Sequence, residues 1–225
     1  QGMHLQYVQQ IFREATGVET AYPVNIVSRY RYNQDFKSIY AMVPAVIPIL
    51  LIFIPAILMA LGVVREKELG SITNLYVTPV TRLEFLLGKQ LPYIAVALIS
   101  YVLLVIQSQL MFHVPIKGSL LALSFGVFLY VIATTGFGLL ISTFTSTQIA
   151  ALCGTAILTI LPTVSFSGLT TPVAALEGAS YWIGQFFPAS YFLVISRGVF
   201  TKALGFADLI PQFVALAAFI PVLTL

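Results

Sequence analysis

Charge is what this chain has least of. Only 8% of its 225 residues are Asp, Glu, Lys or Arg, about a third of the share in an average soluble protein. With 59% hydrophobic residues and a mean hydropathy of +0.96, the composition excludes a soluble globular domain. Apolar runs recur at close to the roughly 20 residues needed to cross about 30 Å of hydrocarbon. The runs are continuous, whereas a transmembrane β-barrel would show short alternating segments. The fold class is therefore an all-α polytopic membrane protein. A formal net charge of +3 is too small and too scattered to argue for nucleic acid.

Further shortages narrow the chemistry. The single cysteine, Cys153, allows no disulfide framework and, inside an apolar run, reads as a small packing residue. The two histidines, His4 and His113, fall in polar segments, so no His-rich metal site or Ser–His pair assembles within a span. Asp35 and Asp208 flank the apolar runs, which leaves no pair of aspartates for an intramembrane protease. Gly88-Lys89 is followed by Gln90 and lacks the upstream glycine of a P-loop. The sequence thus shows no catalytic or nucleotide-binding motif. No ionisable side chain lies well inside an apolar run either. Such groups mark proton and ion pathways, so a proton-coupled transporter and a charge-lined pore both lose support.

What is present is a succession of spans. They are expected at about 41–64, 91–112, 119–142, 148–166 and 208–225, five in this chain. Pro44, Pro48 and Pro55 fall in or just before the first, where neighbours must re-satisfy the freed carbonyls. Ala150 and Gly154, four apart in the fourth, would let another helix approach closely. Residues 1–38 carry ordinary polar and charged residues and read as the C-terminal end of a soluble domain too short to bury its own core. With an apolar run reaching Leu225, both ends look cut, and a piece of a longer protein is the expectation. Residues 167–207 are apolar but broken by Pro172, Gly178, Pro188, Arg197 and Lys202. Aromatics such as Tyr181, Trp182 and Phe186 suit a membrane surface. Two short helices that dip into or lie on one leaflet are expected there, with a spanning hairpin as the alternative.

The few charges present are concentrated. Residues 61–89 hold seven of them: Arg65, Glu66, Lys67, Glu68, Arg82, Glu84 and Lys89. Leu69, Ile72 and Leu75 or Tyr76 recur at helical spacing after the Arg65–Glu68 cluster, which predicts a short amphipathic helix. Pro79 then breaks it. Thr81-Arg82-Leu83-Glu84 fits a capping box, with Thr81 as N-cap and Glu84 reaching back. Thr145-Ser146-Thr147-Gln148 repeats that pattern before the fourth span. Residues 65–90 thus form a bent, structured connector. Its Arg65, Lys67, Arg82 and Lys89 outnumber the basic residues of the other short loops, which places it on the cytoplasmic side. The turn at 113–118 and the 167–207 segment then face outward.

The run from Ala60 through Arg65-Glu-Lys-Glu-Leu-Gly-Ser-Ile-Thr-Asn-Leu-Tyr76 and Thr81-Arg-Leu-Glu84 to Pro92 closely resembles the membrane subunit of type-2 ATP-binding-cassette (ABC) exporters. Within that family it looks nearest to bacterial multidrug-type permeases and to the membrane half of a ribosome-associated ATPase. Phe166-Ser-Gly168, Pro172, Trp182, Pro188 and Arg197 resemble the same family's extracytoplasmic segment between its last two spans. The resemblance implies six spans in a full subunit and a homo- or heterodimeric permease in a bacterial inner membrane. It makes Arg65, Glu66, Lys67, Glu68, Leu69, Gly70, Ser71, Ile72, Leu75 and Tyr76 the segment that docks on a partner ABC ATPase. That partner would carry the ATP and Mg, with no cofactor on this chain. It also places residues 1–38 outside the membrane. The implied function is ATP-driven export of a hydrophobic or amphipathic substrate. A membrane anchor for a fused ribosome-associated ATPase is the alternative reading, and an ATP-independent channel a third.

Overall fold

The computed structural model describes residues 39–70 and 81–224. Seven α-helices lie among the described residues: α1 Ile39–Glu68, α2 Arg82–Leu110, α3 Leu120–Phe144, α4 Gln148–Phe166, α5 Ala179–Gln185, α6 Pro188–Thr201 and α7 Ile210–Thr224. Short 3-10 turns occur at Val173–Ala175 and Ala207–Leu209. The first four helices are long and apolar enough to cross a membrane. The fifth expected span corresponds to α7, of which 15 residues are described.

Two of the expected boundaries move for a physical reason. Helix α1 runs four residues past Val64, so Arg65–Glu68 form its last turn and not the start of a separate element. Helix α2 likewise begins at Arg82 and carries Lys89 and Pro92 within it. A helix need not stop where the hydrocarbon does, since its backbone hydrogen bonds continue into water. The fourth span, at 148–166, coincides with α4.

Helices α1 and α3 form the centre. About half of each crossing window is buried within the chain (50% and 56%), against 17% for α2 and 22% for α4. They approach tightly at Gly138, where an added Cβ would stand 2.3 Å from the Ala56 carbonyl oxygen. Only glycine lets the two backbones meet there.

One proline of α1, Pro48, is matched by a neighbouring helix. Pro48 has no amide hydrogen, so it cannot serve the carbonyl four residues back, that of Pro44. The buried Ser196 hydroxyl of α6 donates to that carbonyl at 2.6 Å. Tyr130 of α3, fully buried, donates its hydroxyl to the Pro48 carbonyl at 2.9 Å and stacks on Phe192 of α6 at 4.4 Å.

Helix α4 packs differently from the expected small pair. Ala150 is exposed, and a Cβ added to Gly154 would meet only Ile141 and Thr145, at 3.9 and 4.0 Å. The buried stripe is Ala151, Thr155, Thr159 and Thr163, with Ala151 packed beside Ala60 and Val64 of α1. Thr159 and Thr163 return their hydroxyls to the carbonyl four residues back, at 2.7 and 2.5 Å, which makes a polar stripe compatible with an apolar interior. Cys153 lies exposed on the other side. The short spacing was visible in sequence, but the face that uses it was not.

Candidate functional site

Functional interest concentrates where α1 ends. Successive residues of an α-helix point about 100° apart, so three consecutive side chains at a helix end can reach three different neighbours. In α1 they do. Glu66 forms an ion pair with Lys89 of α2. Lys67 donates its Nζ to the Ser142 carbonyl in the last turn of α3. Glu68 accepts from the Gln148 backbone amide at 2.7 Å and from the Gln148 side-chain amide at 2.5 Å, at the first turn of α4. Arg65, the fourth charge of the turn, is exposed.

These contacts have an electrostatic logic. The C-terminal carbonyls of a helix carry partial negative charge and the N-terminal amides partial positive charge. A cation, Lys67, meets the end of α3, and an anion, Glu68, meets the start of α4. One Lys-Glu pair therefore matches both poles of the α3–α4 hairpin. The sequence marked all four charges as part of a docking segment; in the structure Glu66, Lys67 and Glu68 each also reach a neighbouring helix of their own bundle.

Beyond Glu68 the helix closes with the Leu69 amide donating to the Arg65 carbonyl at 3.1 Å, and Gly70 takes a positive φ of 69°. Leu69 is 69% exposed, an apolar side chain at the edge of the connector. Ser71, Ile72, Leu75 and Tyr76, together with Val80, lie outside the described residues. The chain re-enters description at Thr81, and the capping box is present in full. The Thr81 amide donates to Glu84 Oε2 at 2.9 Å, and the Glu84 amide to Thr81 Oγ1 at 3.4 Å. The pattern at 145–148 resolves otherwise. Thr147 is the N-cap of α4, Gln148 its first residue, and Thr145 closes α3 through a hydroxyl bond to the Ile141 carbonyl at 3.1 Å. A four-residue pattern cannot tell these apart, because two Thr residues compete for the cap.

At the opposite end stands the segment 167–207. Pro172 precedes the 3-10 turn and Pro188 opens α6 at its first residue, where proline's missing amide costs nothing. Helices α5 and α6, of 7 and 14 residues, are both too short to cross a membrane. Phe187, at the turn between them, packs edge-on against Phe137 at 6.0 Å. The far end of α6 meets the start of α3, where the Gly118 amide donates to the Val199 carbonyl at 2.8 Å. Helix α6 thus lies antiparallel along α3, with Phe192, Ile195 and Val199 fully buried. The α5–α6 hairpin reaches into the bundle and does not merely lie on it.

Arg197 locks that hairpin to the end of α4. Its two terminal nitrogens donate to the Gly168 and Leu169 carbonyls at 2.9 and 3.1 Å. Gly184 of α5 sits against the Phe166 carbonyl so tightly that an added Cβ would stand 2.7 Å away. Trp182, by contrast, is 62% exposed and stacks on Phe186. Sequence reasoning placed all four marker residues in one segment; the structure joins Arg197 to the 168–169 turn and leaves Trp182 on an outer aromatic face.

An apolar groove of about 420 Å³ between α1 and α2 was not visible in the sequence; Met42, Val46, Leu50, Leu104 and Phe112 are among its walls. Its residues come from two helices at helical spacing, a signal that marks any packed face equally. Among the described residues no group of three or more His, Cys, Asp or Glu side chains could hold a metal ion.

Comparison with known proteins adds the following. The family model described as ABC-2 family transporter protein matches residues 3–225. The chain is 32% identical over 177 residues to the probable multidrug ABC transporter permease YbhS of Escherichia coli (strain K12), covering 79% of this chain and 47% of that protein. It is 29% identical over 180 residues to the probable multidrug ABC transporter permease YbhR of the same organism, covering 79% and 48%. The inner membrane transport permease YhhJ, also of that organism, is 27% identical over 203 residues, covering 87% and 52%. The chain spans about half the length of these curated relatives. No solved structure matches.

Proposed function

The chain belongs to the ABC-2 family of transporter proteins, and from that premise we propose that it is the membrane core of an ATP-driven exporter worked through the connector that follows α1. As a member of that family with four apolar helices of crossing length, it is a multi-pass inner-membrane protein. A partner ABC ATPase supplies ATP and Mg and performs the hydrolysis. It docks within residues 65–76, with Arg65 and Leu69 as the exposed polar and apolar contacts nearest the bundle. A second permease subunit completes the pathway as a homo- or heterodimer, embedded in membrane lipid. Residues 1–38 and the 167–207 segment then belong to the outer side.

The observation that carries this reading is the pair of fixed ends around residues 69–81. One end is tied by Glu66, Lys67 and Glu68 to three helices, and the other is a complete capping box at the start of α2. A connector held at both ends transmits force; a floppy loop absorbs it. The cargo is hydrophobic or amphipathic. The groove between α1 and α2 has apolar walls, and none of the four crossing helices places a charge in its middle turns. A bare ionic solute would meet nothing there to replace its hydration.

Inverted membrane vesicles carrying the full-length permease with its ATPase test the proposal, with fluorescent doxorubicin as an amphipathic probe. Uptake is expected with ATP and lost when the P-loop lysine of the ATPase is replaced. Uptake that persists without hydrolysis overturns the ATP-driven reading. Transport of a small inorganic ion in place of the probe overturns the cargo class.

A further inference from the structure

We propose that Glu66, Lys67 and Glu68 are positioning residues that turn the last turn of α1 into a rigid joint, and that they are not docking groups for the ATPase. The inference rests on the proposed function above and deepens it by separating transmission from docking within one short segment.

The geometry points this way because each of the three side chains is already committed. Glu66 is on Lys89, Lys67 on the Ser142 carbonyl, and Glu68 on both amides of Gln148. The partners belong to three different helices and lie 23, 75 and 80 residues away in sequence. A push arriving at Leu69 therefore reaches α2 and the α3–α4 hairpin at once. Without these contacts it would enter through α1 by itself, and α1, with three prolines within it, can bend before its packed middle passes the displacement on. The Glu66–Lys89 pair also fixes the spacing between the two ends of the connector, since Lys89 lies in the second turn of α2 beyond the capping box. Coupling of this kind needs a contiguous set of contacts that shifts as a unit. The joint supplies one at the only place where the connector meets all four crossing helices among the described residues.

The Glu66–Lys89 pair permits a clean experiment, because exchanging its charges restores the attraction and leaves any docking charge reversed. The full-length permease with its ATPase, in lipid nanodiscs and with Cys153 and any further cysteine replaced by serine, carries an environment-sensitive fluorophore at either Thr78→Cys or Lys117→Cys. Position 78, in the connector beyond the docking segment, reads the input, and position 117, in the turn before α3, reads the far end. Three versions are compared with the parent: Glu66→Lys, Lys89→Glu, and the two together.

Each single version is expected to keep ATPase co-purification and the ATP-dependent signal at position 78, while the signal at position 117 falls about tenfold, within the usual range of coupling between sites. The exchanged pair is expected to regain most of the signal at 117. Loss of co-purification in Glu66→Lys that the exchange does not restore makes Glu66 a docking group and overturns the joint. A full signal at 117 in both single versions overturns it as well. If the parent itself neither retains an ATPase nor responds to ATP, the exporter reading falls and the joint falls with it. That outcome differs from the other two because it is seen before any substitution is made.

Discussion

The Ser196 hydroxyl donates to the Pro44 carbonyl at 2.6 Å, the one carbonyl in that turn that Pro48 leaves without an amide. The two groups answer each other. The apolar surroundings offer no water to take the place of either partner, so the pairing is worth more than a typical hydroxyl bond. Ser196→Ala is expected to destabilise the detergent-solubilised protein by about 1–3 kcal/mol, the cost of a stranded buried polar group. In a Pro48→Ala background, where the helix amide returns, the same change should cost clearly less. Thermal unfolding of the four proteins measures the difference directly. Equal costs in both backgrounds would show that Ser196 acts by packing alone.

Tyr130 of α3 ties α1 to α6, with its ring on Phe192 and its hydroxyl on the Pro48 carbonyl. Tyr130→Phe keeps the ring and loses the hydroxyl, for an expected cost of about 1 kcal/mol. Tyr130→Ala removes a fully buried ring and is expected to cost about 3–5 kcal/mol. Unfolding midpoints in detergent should rank the variants in that order, and a Phe variant as damaged as the Ala variant would contradict it.

Gly138 and Gly88 make a matched contrast. A methyl group on Gly138 meets the Ala56 backbone, which cannot swing aside, whereas one on Gly88 meets nothing within 4 Å. Gly138→Ala is expected to force α1 and α3 apart and to lower the yield of folded, monodisperse protein. Gly88→Ala, within helix α2, should instead gain about 0.5–1 kcal/mol from lost chain entropy. Size-exclusion profiles and unfolding midpoints read both effects.

Arg197 holds two carbonyls with one planar fork. Arg197→Lys offers a point charge in place of the fork and is expected to retain only part of the restraint. Arg197→Met keeps the stem and removes the donors. Hydrogen exchange across residues 167–178 should quicken slightly in the first and by about tenfold or more in the second, as local opening becomes cheaper. Unchanged exchange in the Met variant would mean the segment is held by packing, as at Gly184.

Much of the fold was legible because its causes are local. The length of hydrocarbon sets how long an apolar run must be, so the four crossing helices could be read directly, and α4 to the residue. Thr81 and Glu84 announce a helix start within four residues, because a capping box is complete in itself. The resemblance of residues 60–92 to a transporter family, later matched over residues 3–225, needed only the chain.

What the sequence could not settle were questions of pairing. Ser196 and Pro44 stand 152 residues apart, and nothing near either one names the other. The Ala150–Gly154 spacing and the Ala151–Thr163 stripe are equally plausible faces until α1 is in place to choose between them. Glu66 and Glu68 stand out in the sequence as charges of the connector, but nothing near them names Lys89 or Gln148 as their partners. Sequence determined the class, the spans and the charged turn, since each follows from chemistry within a few residues. The tertiary structure alone decided which way that turn's side chains point, because direction depends on three helices arriving at one place.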